Sequence, residues 1–109
     1  MALENANQGA RYTGQRITWT RSDGSAQDLT GATLSGRIKP VNATIAEAFA
    51  ITGTLTPVTG QEANGIFDWE YSAADVAHWG TFEVQFKATY AGDNFDLSDP
   101  ADWAIAKAV

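Results

Sequence analysis

The sequence predicts an all-β sandwich of about seven antiparallel strands with one short helical turn. Three observations carry this expectation. Apolar residues recur at every second position in short segments, turn-forming residues separate those segments, and helical periodicity is scarce.

The first segment is Arg16-Ile17-Thr18-Trp19-Thr20, with Ile17 and Trp19 on one face and the polar residues on the other. Ser22-Asp23-Gly24-Ser25 supplies turn chemistry, and Asp28-Leu29-Thr30-Gly31-Ala32 a corner that leads into Thr33–Lys39. Leu34 and Ile38 face inward there. Pro40 lacks an N–H, so it ends this strand or lies on a sheet edge. From Asn42 to Ala50 a loop is expected, followed by a strand over Phe49–Leu55. Val58 to Gly65 reads as a turn region closing on Asn64-Gly65.

Phe67, Trp69 and Tyr71 alternate with acids in the next strand, as a half-buried antiparallel strand requires. Ser72-Ala73-Ala74-Asp75 is an S-x-x-D cap, placing a short helical turn before Gly80 that bridges the sheets. Phe82, Val84, Phe86, Ala88 and Tyr90 share one face of the longest alternating segment, which is expected to be central. After a polar loop, Trp103–Val109 alternates again as the final strand. That strand count and turn spacing, with no long helix, point to a sandwich, with a small barrel as runner-up.

The chain's 109 residues suit one domain, with residues 1–10 as an N-terminal arm. A hydrophobic fraction of 44% is enough to fold independently. With no cysteine, neither disulfides nor thiolate chemistry is available. The net charge of −6 argues against nucleic acid and anionic membranes as partners. The first residues are neither basic nor apolar enough for an export signal, and no stretch reaches the length of a membrane span. A soluble protein made in the cytoplasm is expected.

The order of the pieces adds a resemblance. Ser22-Asp23-Gly24-Ser25, Asp28-Leu29-Thr30-Gly31-Ala32-Thr33 and Arg37-Ile38-Lys39 are followed by Gly65-Ile66-Phe67-Asp68-Trp69, Asp75 and Gly80-Thr81-Phe82-Glu83-Val84-Gln85. Together, from Gly14 to Tyr90, they resemble the N-terminal immunoglobulin-like domain of phage baseplate upper proteins and related virion domains. Val41–Ala50 and Asp93–Asp102 depart from that pattern. The resemblance implies a virion-associated tail, baseplate or fibre-attachment component, with no catalytic residues to carry over.

Candidate chemistry is sparse. His78 is the sole histidine and stands beside Trp79 without a nucleophile-elbow motif. Asp68, Glu70 and Glu83 alternate with apolar residues and are expected to be solvated rather than a glycosidase pair. Asp93, Asn94, Asp96 and Asp99 offer oxygen ligands for a hard cation, but their spacing is not that of an EF-hand and a solvated loop is expected. There is no phosphate-binding glycine loop. No cofactor or metal site, and no enzymatic activity, is therefore expected.

The expected function is structural, through protein–protein contact with virion or assembly proteins or with a second copy. The interaction surface is assigned to Trp79, Trp103, Ile105 and Val109, with the final strand as an open edge. The alternative is carbohydrate binding, with Trp79 and Trp103 stacking on sugar rings.

Overall fold

The protein is described by a computed structural model covering residues 1–10 and 14–109. Its strands are β1 (Ala6–Asn7), β2 (Gly14–Thr18), β3 (Thr33–Ala43), β4 (Phe49–Ala50), β5 (Thr54–Pro57), β6 (Ile66–Glu70), β7 (Gly80–Thr89), β8 (Phe95–Leu97) and β9 (Ala101–Ala106). One sheet runs β1-β9-β7-β3-β4, with β8 paired to β7, and the other runs β2-β6-β5. All pairings between these strands are antiparallel except β1 with β9. Strands β2-β6-β5 form one layer of the sandwich and β9-β7-β3 the central part of the other.

Alternation places the core as expected. Ile17, Ile38, Phe67, Trp69, Phe82, Val84 and Phe86 are buried between the sheets. Leu34, expected with them, is only half-buried because β3 reaches the end of the sandwich there. No disulfide braces the two layers, and aromatic contacts join them instead. Trp69 of β6 meets Trp103 of β9 at 4.7 Å between ring centroids, and Phe67 meets Phe86 at 5.1 Å. As expected, β7 is central, with β3 on one side and β8 and β9 on the other.

Pro40 does not end its strand. β3 continues to Ala43 through a bulge between Pro40 and Asn42, where no partner requires the missing N–H, since β4 pairs only with Arg37 and Ile38.

The strand expected over Phe49–Leu55 is split between the two sheets. β4 pairs with β3, whereas β5 pairs with β6. The break lies at Thr52 and Gly53, whose N–H groups donate to the buried Asp75 carboxylate at 2.9 and 3.0 Å instead of to a neighbouring strand. Gly53 is required by close approach, since a Cβ there would lie 2.1 Å from the Glu70 carbonyl oxygen.

The S-x-x-D cap forms, with Ser72 N–H donating to Asp75 Oδ2 and Asp75 N–H to Ser72 Oγ, each at 3.2 Å. The helix it was expected to begin does not propagate. Asp75 is committed to the N–H groups of Thr52 and Gly53 at the β4–β5 break and to the Trp69 indole, and the segment remains a turn that carries the chain from β6 to β7. Short 3₁₀ turns lie instead at Glu62–Asn64 and Ala91–Asp93. Asn64-Gly65 closes a long β5–β6 hairpin loop, with Gly65 at φ 73°.

The first ten residues are docked rather than forming a free arm. Ala6 and Asn7 pair in parallel with Ile105 and Ala106. Gln15 clamps Glu4 through both its amide atoms, and Met1 and Leu3 pack against the core. Among the described residues no helix is long and apolar enough to cross a membrane.

Candidate interaction surface

The four residues assigned to an interaction surface are not brought together. Trp103 is 1% and Ile105 3% exposed, both turned into the core. The Trp103 indole N–H donates to the Glu4 carbonyl at 2.9 Å. Their strand, expected as an open edge, is flanked by β7 and β1. The Trp103 ring is covered by Trp69, Tyr71 and Phe82 within the core, and the N-terminal segment supplies the backbone partner that closes the β9 edge. Trp79 is 38% exposed, with the Lys107 ammonium 5.5 Å from its ring centroid. Val109 is exposed.

The other candidates are similarly dispersed. His78 is half-buried and meets the Phe49 ring edge-on at 6.4 Å. Asp68 accepts a bidentate pair of bonds from Arg16 at 2.8 and 3.1 Å, which holds its carboxyl below the usual range. Asp96 accepts from Gln27 Nε2 at 2.8 Å and Asp99 from the Ser22 hydroxyl at 3.0 Å, both beside a polar cleft that includes Asp23. The Asp23 carboxyl is lowered by the hydroxyl and N–H of Ser25. Among the described residues no group of His, Cys, Asp or Glu converges on a point that could hold a metal ion.

Sequence reasoning missed the surface that does stand out. β8 carries Phe95 and Leu97, each 53% exposed, and among the described residues is hydrogen-bonded as a strand to β7 alone. Register places Leu97 beside Lys87 and Phe95 beside Thr89, so both project from the outer face of the larger sheet. The Lys87 ammonium lies 4.4 Å from the Phe95 ring centroid. Along the same face run Arg37 and Lys39, exposed on the polar phase of β3, and Val41, 62% exposed, follows them.

Two adjoining hollows of about 280 and 330 Å³ indent this face, with Arg37 and Gln85 shared between their walls. Gln85 is fixed by donating from Nε2 to the Ser98 carbonyl at 2.8 Å. The arrangement offers cationic and amide groups between apolar margins on a flat sheet, which suits recognition of another chain. A signal for part of it was available, because Arg37 and Lys39 share the outward phase of one strand.

No protein-family model and no curated protein matches this chain.

Proposed function

We propose that the chain is a non-catalytic structural module that docks onto other proteins, of the phage tail or baseplate type, and acts as a virion component. The observation that carries the docking role is the three-residue edge strand β8 with Phe95 and Leu97 half in solvent. Proteins ordinarily blunt such edges, and an unpaired edge with exposed apolar side chains is a site for another chain to add to. The virion setting is supported by the sequence resemblance from Gly14 to Tyr90.

Sugar binding is the weaker reading. Burial of Trp103 leaves Trp79 without a second exposed tryptophan to extend a stacking platform, since Trp19 and Trp69 are also buried.

The test is co-expression with the products of adjacent genes. The wild-type chain should co-purify with one of them, and Phe95→Glu/Leu97→Glu should abolish this while leaving the fold intact. If the chain associates with none of them while an oligosaccharide panel quenches its tryptophan fluorescence, the assignment is overturned.

A further inference from the structure

The charge of the outer face of the larger sheet runs against that of the molecule. The chain has 13 acidic and 7 basic residues, yet Arg37, Lys39 and Lys87 stand on this one face with only Glu83 and Asp102 as acidic neighbours in the ladder. None of the three cations forms an ion pair among the described residues. Opposing Lys39 are Glu83 and, one strand further, Asp102. Around Arg37 and Lys87 the ladder partners are neutral: Gln85 and Ala50 beside Arg37, and Ser35 and Leu97 beside Lys87.

Register sets their spacing. Arg37 is level with Gln85, Lys39 with Glu83, and Lys87 with Ser35. Arg37 and Lys39 are therefore one two-residue step apart on β3, and Lys87 lies one further step along but on the neighbouring strand β7, so the three form a bent stripe. That step is about 6.8 Å, which is also the repeat of same-face side chains in an extended peptide. Helical and compact acidic surfaces do not share this repeat. The hollows are margined by Leu97, Ala50 and Ala48, apolar groups that suit the side chains of a peptide rather than a sugar–phosphate strand.

We infer that this face binds an extended acidic segment of a partner protein, with carboxylates at alternate residues seated on Lys87, Arg37 and Lys39. Arg37 forks onto one carboxylate, and Leu97, Ala50 and Ala48 flank the segment with apolar contact. The inference rests on the docking role above and names the chemistry of the partner.

The test follows amide NMR shifts while titrating a short capped peptide alternating glutamate with threonine. Alternating lysine–threonine peptide and oligothymidylate serve as controls. Shifts should be confined to Ser35–Lys39, Glu83–Lys87, Ala48–Ala50 and Leu97 and be lost when salt is raised from about 20 to about 300 mM. Binding should weaken about tenfold in Arg37→Glu/Lys87→Glu. Arg37→Gln/Lys87→Gln provides a milder variant if the reversal unfolds the chain.

No shifts, shifts elsewhere, or equal binding by a folded variant would overturn the inference. So would tighter binding of oligothymidylate, or self-association in light scattering that the variant abolishes. If Phe95→Glu/Leu97→Glu blocks co-purification while the arginine and lysine variants do not, the docking role stands and this inference falls.

Discussion

Replacing Asp75 tests what holds the two sheets in register. Its carboxylate is fully buried and accepts the backbone N–H of Thr52 at 2.9 Å, Gly53 at 3.0 Å and Ser72 at 3.2 Å, and the indole N–H of Trp69 at 3.1 Å. Asp75→Ala leaves all four donors without this acceptor. Each orphaned buried donor costs about 1–3 kcal/mol, but relaxation and entry of water make the costs non-additive, so a loss of about 3–5 kcal/mol is expected. A chain of this size has about 5–15 kcal/mol in total, so this is a large share. Asp75→Asn keeps one accepting oxygen for the three donors on Oδ2 but turns its NH₂ toward the Thr52 N–H, and should cost about 2–3 kcal/mol. The assay is equilibrium urea unfolding followed by the fluorescence of the buried tryptophans, with a matching fall in Tm of about 4 °C or more per kcal/mol. An alanine variant within about 1 kcal/mol of wild type, or an asparagine variant worse than alanine, would refute the role given to this carboxylate.

Gly53→Ala forces a Cβ against the Glu70 carbonyl and Asp75, and should lower urea-unfolding stability by about 2–3 kcal/mol without changing the secondary structure seen by circular dichroism. Burial raises the Tyr71 phenol above its ordinary value, so the folded chain holds that proton more tightly than the unfolded chain. Its contribution is complete below about pH 10 and declines as pH rises from there through the folded value, so Tyr71→Phe should flatten the loss of Tm across that range. At neutral pH the same variant loses the bond from Gln15 Nε2 at 2.8 Å and should cost about 1 kcal/mol in urea. Deleting residues 1–7 strips β1, Met1 and Leu3 from the core and uncovers Trp103. A red-shifted tryptophan emission and a loss of about 3 kcal/mol or more are expected, and unchanged emission would show that the segment does not cover that ring.

Local alternation was sufficient to find the strands that carry the core. Ile17 and Trp19, Phe67 through Tyr71, and Phe82 through Ala88 each present one apolar face, and each is buried as that pattern requires. The period of two follows from the pleat alone and needs no knowledge of the neighbours. The sandwich class and the central place of β7 could be read on the same basis.

What alternation cannot state is which neighbour covers a strand, because that depends on contacts far apart along the chain. Trp103 and Ile105 read as an exposed edge until Glu4 and Ala6, about a hundred positions earlier, close over them. Phe49–Leu55 read as one strand until Asp75 captured two of its N–H groups and sent its halves to different sheets. Phe95 and Leu97 alternate around Asp96 as a buried strand would, yet they stand in solvent because no strand or loop among the described residues packs over the outer face at that corner. Periodicity determined which side chains lie on the same side of each strand. Long-range hydrogen bonding and the placement of each segment between or outside the sheets decided which of those sides meets water, and with it the surface on which another chain can dock.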